Sequence, residues 1–163
     1  PKALTKDKIT KEEYRRCRKP IGIGSLVGVI IGATPGTGGG LAAFIAYNQV
    51  KQASKHPETF GKGEIEGVAV AESANIGACG ATMIPMLTLG VPGDGATAIL
   101  MGAFMLHGMV PGPSLFAEQG NILYAIMLGL LVVNVFMYIV GTGLTRFYAH
   151  ITRIPYELSL IHI

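Results

Sequence analysis

The sequence predicts an all-α fold: a polytopic helical membrane protein with discontinuous helices or re-entrant hairpins. Charge segregation is the first sign. Residues 20–50 contain no Asp, Glu, Lys or Arg, and residues 67–145 contain no Lys or Arg and only the acids Glu72, Asp94 and Glu118. Composition is the second, with 50% hydrophobic residues and a mean hydropathy of +0.47. A bilayer core takes about 20 apolar residues per helix, so these stretches hold roughly four embedded elements. The third is a pair of helix breakers inside the apolar sequence. Pro35-Gly36-Thr37-Gly38 and Pro92-Gly93-Asp94-Gly95 both read P-G-x-G. Proline removes a backbone donor and clashes with the preceding turn, and glycine weakens the helix further. In lipid, the freed polar groups must find protein, water or ligand.

The N-terminal segment carries Lys2, Lys6, Lys8, Lys11, Arg15, Arg16, Arg18 and Lys19 against Asp7, Glu12 and Glu13. It reads as a cytoplasmic membrane flank and not as a nucleic-acid arm. An apolar span follows at once, and Tyr14 alone offers no stacking platform. Residues 5–18 predict a short surface helix, with Thr10 and Glu13 forming a capping box. In the apolar stretch 21–50, Gly24, Gly28, Gly32, Gly36 and Gly40 recur every four residues. That spacing predicts a glycine face for close approach of another helix. Pro35 divides the stretch into two arms, each short for a full crossing.

Residues 51–66 form a polar loop. A second apolar block, 67–91, carries Glu72, Ser73, Asn75 and Pro85 and ends at Pro92-Gly93. A further arm spans 96–110, and Pro111-Gly112-Pro113 ends it. Residues 111–120 read as a loop. Residues 122–144 form an uninterrupted apolar span in which Asn134 is the polar intrusion, read as interhelical glue.

The distribution of Lys and Arg places the flank, the 51–66 loop and the tail with Arg146 and Arg153 inside, and 111–120 outside. On that count 21–50 returns to its starting side as a re-entrant hairpin. Residues 67–110 then cross as one spanning helix plus one partial helix. Cys17 and Cys79 fall at different depths, which argues against a disulfide, and no metal-ligand spacing exists. The chain opens at Pro1 with no visible signal peptide and reads as an internal piece of a longer protein. Its organisation is a basic flank at 1–20, a membrane domain at 21–158 and a terminal scar at 159–163.

Breaks of this kind at membrane depth point to a transporter's binding site. A half-helix beginning after a break presents free N–H groups and about half a positive charge. That suits a carboxylate without any buried Lys or Arg. A half-helix ending there offers carbonyls to a sodium ion. The competing reading is two ordinary helix-connecting loops. Thr37 and Asp94 occupy equivalent places; each either caps its helix or serves a ligand, Thr37 as a donor to carboxylate and Asp94 toward a cation. Thr97 is a further candidate hydroxyl. Glu72 and Asn75 share a helix face. Asn75 reads as a direct ligand, while Glu72 either serves a cation or snorkels to the interface. The substrate set is therefore Pro35, Gly36, Thr37, Gly38, Asn75, Pro92, Gly93 and Thr97, and the cation set Glu72 and Asp94. His107 reads as a proton carrier or an interfacial residue.

Enzyme readings fail. Gly38-Gly39-Gly40-Leu41-Ala42-Ala43 fits G-x-G-x-x-A, but no strand precedes it, and no Gly-Lys-Ser/Thr occurs. Glu72 and His107 lack a nucleophile or metal triad for membrane proteolysis.

Four strings carry a family resemblance: Gly32-Ala33-Thr34-Pro35-Gly36-Thr37-Gly38; Glu72-Ser73-Ala74-Asn75; Ile84-Pro85-Met86-Leu87-Thr88-Leu89-Gly90-Val91-Pro92-Gly93-Asp94; and His107-Gly108-Met109-Val110-Pro111-Gly112-Pro113. In order and spacing they resemble the later half of the large membrane subunit of tripartite tricarboxylate transporters, the TctA family. The resemblance implies a multi-pass protein of the bacterial inner membrane. It would take up small di- or tricarboxylates by cation symport, with sodium as the expected coupling ion and no other cofactor. It implies two protein partners, a periplasmic solute-binding protein and a small membrane subunit. Two departures stand out. Ile76 replaces a second Asn that many members carry, and Ser159 to Ile163 does not continue the pattern. Two alternatives stay open: a channel or non-carboxylate permease, and a membrane scaffold or assembly subunit whose glycines only pack.

Overall fold

The computed structural model describes residues 9–151, and within them every regular element is helical. The chain divides into two compact units, Pro1–Glu118 and Gln119–Ile163. Lys2, Lys6, Lys8, Asp7, Arg153 and the terminal segment 159–163 lie outside the described residues.

In the first unit, α1 runs Lys11–Gly32. Thr10 caps it as expected: its Oγ accepts from the Glu13 N–H at 3.2 Å, and the Thr10 N–H donates to the Glu13 carboxylate at 2.7 Å. The expected surface helix and the first apolar arm prove to be one helix, which passes through Pro20. Pro20 costs one backbone bond, and the packing of the following turns outweighs that loss. After a tight reversal, α2 (Gly38–Ala53) runs back. A loop with a 3-10 turn at Pro57–Thr59 leads to α3, Ile65–Ala81.

Gly24, Gly28 and Gly32 of α1 lie on Val70, Ala74 and Ala78 of α3, so these two helices run in the same direction. A Cβ at Gly24 would sit 2.5 Å from the Val70 carbonyl oxygen, and one at Gly32 2.6 Å from that of Ala78. The glycine face is thus real, but it is shorter than the spacing suggested. Gly36 and Gly40 have no atom within 4 Å of a would-be Cβ. α2 runs opposite to α3, with Gly39 beside Asn75 and Tyr47 beside Gly67. At the loop end, Tyr47 and Phe60 pack edge to face with centroids 5.5 Å apart. There Arg16 bridges Glu64 and Glu66, each at 2.9 Å.

The expected single block at 67–91 is divided. α3 ends at Ala81, and α4 occupies Met83–Leu89. Pro85 explains the division, because its ring would clash with the carbonyl of Ala81 in a continuous helix. α4 ends at Gly90, whose φ of 68° is left-handed. α5 follows at Gly95–Leu106. The expected loop at 111–120 instead contains α6, Pro113–Glu118. The Gly112 N–H donates to the Leu87 carbonyl at 3.1 Å, which ties this segment to α4.

The second unit is α7, Gly120–Ile151. Its segment Gly120–Thr145 has 26 residues and a mean hydropathy of 2.4, long and apolar enough to cross a membrane. Asn134 donates at 2.8 Å to the Leu130 carbonyl of its own helix. That bond lies within the helix, one turn back.

Where α1, α2 and α3 meet, Gly24, Gly28, Gly32, Ala42, Ala46, Ala74 and Ala78 are buried, while Leu26, Ile30, Phe44 and Ile76 on the same helices are exposed. Small residues inside let backbones approach, and large apolar ones face outward.

Two predictions follow from this packing, both for the full-length protein in detergent. Gly28→Ala drives a methyl into the Ala74 carbonyl, and overpacking of this kind is expected to cost about 1–3 kcal/mol. Gly22→Ala meets no atom within 4 Å and is expected to be neutral or to raise the melting temperature. Equal melting temperatures for the two variants would contradict the packing. Arg16→Gln is expected to lower the melting temperature slightly at low salt, with the difference shrinking in high salt, because the pairs are partly exposed.

Candidate functional site

Three chain breaks converge at the C-terminal end of α3. At the first, α1 ends at Gly32 and α2 begins at Gly38, whose φ is 66°. Thr37 does not cap α2. Its hydroxyl instead faces the Ile31 and Thr34 carbonyls at 2.6 and 2.9 Å, closing the end of α1. The first turn of α2 is Gly38-Gly39-Gly40, with no side-chain cap and no acidic residue. Its backbone donors are therefore open, and the positive end of the helix is uncompensated from within.

The second break, 90–94, rests on the third. Gly93 is buried, and a Cβ there would lie 2.6 Å from the Cβ of Thr82, which is itself fully buried between α3 and α4. Asp94 caps α5. Its Oδ1 accepts from the Thr97 N–H and the Thr97 hydroxyl, both at 2.8 Å, and its N–H donates to the Thr97 hydroxyl at 2.9 Å. The donors of α5 are thus partly satisfied from within, unlike those of α2.

The two breaks meet. A Cβ on Gly38 would sit 3.7 Å from the Cβ of Asp94. From α3, the Asn75 carboxamide lies against Gly39, with its backbone oxygen 3.2 Å from a would-be Cβ there. An open helix N-terminus, an amide side chain and a carboxylate therefore share one corner. The amide and the helix end suit an anion. The carboxylate suits a cation. Among the described residues no three His, Cys, Asp or Glu side chains cluster as a metal site.

The other expected site residues take other places. Pro35 and Gly36 form the exposed tip of the reversal, and Pro92 lies half-buried in its turn. Thr97 is committed to the cap. Glu72 does not join the corner; it lines a groove at the loop end with Gly61, Gly63 and Glu64. His107 ends α5, with Nδ1 2.9 Å from the Ala103 carbonyl. Both cysteines are free thiols, and burial pushes Cys17 above the ordinary thiol range. Sequence reasoning missed Gly39 and Thr82. Three consecutive glycines opening a helix were the signal for the first, and Pro85 three residues on was the signal for the second.

Residues 2–163 match the tripartite tricarboxylate transporter TctA family. An uncharacterized 52.8 kDa protein in the TAR-I ttuC' 3' region of Agrobacterium vitis is 39% identical over 150 residues, covering 92% of this chain and 30% of that protein. An uncharacterized protein in the TAR-II ttuC' 3' region of the same organism is 38% identical over 131 residues, covering 80% of this chain and 54% of that protein. The chain thus spans about a third to a half of the length of these relatives. No solved structure matches it. The match extends over nearly every residue, including both Pro-Gly breaks: the chain belongs to the tripartite tricarboxylate transporter TctA family.

Proposed function

We propose that this chain is part of a secondary active transporter that takes up small di- or tricarboxylates by sodium symport, with substrate held at the corner where the Pro-Gly breaks meet. Family membership supports the substrate class. The observation that carries the mechanism is the open glycine turn of α2 beside Asn75 and Asp94.

A substrate carboxylate accepts from the N–H groups of Gly38, Gly39 and Gly40, and the Asn75 carboxamide, whose Oδ1 faces Gly39 in the free protein, turns its NH2 to donate from the side. Buried Lys or Arg is not needed, because the helix end supplies the positive charge. Asp94 repels such a carboxylate on its own. Asp94, whose cap contacts to Thr97 fall on Oδ1, supplies the charge that attracts a sodium ion to the corner. A bound sodium cancels the repulsion, so cation and substrate bind better together than apart. That electrostatic linkage is the coupling. Glu72 has no part in it.

The large outward-facing apolar side chains and the long apolar α7 support placement of the chain in a bilayer, as a multi-pass protein of the bacterial inner membrane. A periplasmic solute-binding protein and a small membrane subunit complete the system in this reading. Alternating access is then movement of one packed bundle against another around the corner. The chain carries out no covalent chemistry in this account.

Uptake of a labelled tricarboxylate by the full-length transporter tests the assignment. Asn75→Ala removes a hydrogen bond to a charged group, and apparent affinity is expected to fall about 10- to 100-fold. Glu72→Gln is expected to transport like the parent. Asp94→Asn keeps an acceptor for the cap and is expected to lose most of the sodium dependence. Normal sodium-dependent uptake by well-expressed Asn75→Ala and Asp94→Asn variants would sink the site.

A further inference from the structure

The loop end of the first unit holds a cleft of about 470 Å³, separate from the corner of breaks. Arg16, Lys19, Lys55 and His56 line it, with Glu66 as its acidic member. The charges do not simply cancel. Arg16 is held by Glu64 and Glu66 at 2.9 Å each, and His56 lies 3.5 Å from Glu58. Among the described residues, Lys19 and Lys55 have no carboxylate within ion-pair reach. The cleft is also amphipathic, because Pro20, Ile23 and Val50 form an apolar floor. Its position argues for a lipid rather than a free anion. Beyond Lys19, α1 presents exposed Leu26 and Ile30 on the same face, one turn apart. A headgroup at the lysines thus has an apolar track for its chains.

We propose that this cleft seats the phosphate headgroup of an anionic phospholipid, with Lys19 and Lys55 on the phosphate and the acyl chains along the outer face of α1. The proposal rests on the bilayer placement above but not on the substrate site. Basic pockets between helices at the cytoplasmic side recognise lipid headgroups in this way, and the charge is strongest where it meets the membrane surface. The bound lipid would brace the end of the bundle where the Arg16 bridge joins α1 to α3.

The test reconstitutes the full-length transporter in vesicles of phosphatidylglycerol and phosphatidylcholine and counts retained lipids by native mass spectrometry. The parent is expected to retain phosphatidylglycerol preferentially, and retention is expected to fall about fivefold for each lysine replaced in Lys19→Gln and Lys55→Gln. Excess inorganic phosphate is expected not to displace the lipid. Unchanged retention in the double variant, with an unchanged melting temperature, would overturn the proposal. So would displacement by inorganic phosphate, which would mark a free-anion site. A carbonate wash separates the two levels. If the parent protein leaves the membrane, the bilayer placement fails and the cleft proposal with it. If it stays while lipid counts are equal, the cleft proposal alone fails.

Discussion

The close backbone contact between α1 and α3 is the constraint on which the rest of the first unit depends. Gly24, Gly28 and Gly32 bring the α1 backbone directly onto Val70, Ala74 and Ala78, and Ile23, Val27 and Ile31 pack beside that contact. The two helices then run together in register. That register sets where α1 stops relative to α3, and so where the chain reverses into α2. Gly39 meets Asn75 because Gly32 meets Ala78. A bulkier contact would separate the helices and pull the open end of α2 away from the amide. Backbone proximity and dispersion at the glycines, with Ile23, Val27 and Ile31 packed alongside, hold the contact.

The corner gains its chemistry from an asymmetry between two similar motifs. Both are P-G-x-G, yet Asp94 caps its helix while Thr37 turns back to close the helix before it. One helix N-terminus is therefore satisfied and carries a carboxylate, and the other is open and carries only backbone donors. Placed side by side, they offer opposite electrostatics within a few ångströms. In the proposed transporter that opposition links a cation to an anionic substrate. Thr82 and Gly93 hold the second motif in place, since the break can lie flat on α3 only where a glycine faces a buried threonine.

Much of the helical plan was legible in the sequence. The capping box at Thr10, the glycine face, both breaks and the long apolar helix each follow from residue types at fixed spacing. Other features were not, and each for a physical reason. The shift from the polar segment 5–18 to the apolar stretch at 21 suggested two elements, but tertiary packing carried α1 through Pro20 as one helix. Pro85 acts on the turn before it, so the division at Thr82 came earlier than its own position suggested. The end of the glycine stripe at Gly32 depends on where the chain reverses, which periodicity does not report. Asn75 read as a ligand because it is neutral and deep in the block. Its contact with Gly39 needed the pairing of α2 with α3, a long-range relation that no local pattern contains. Glu72 shares the face of Asn75 on paper but lies nearer the loop end, and that distance along the helix separates it from the corner.

The central claim is that one corner receives both ions, with Asn75 at its wall. The most direct measurement is the alkylation rate of Asn75→Cys in the full-length transporter, with Cys79→Ser removing the exposed native thiol. The account predicts that sodium and a tricarboxylate together slow alkylation, and that either alone protects far less. Identical rates with and without the pair, in a protein that retains its melting temperature, would contradict it.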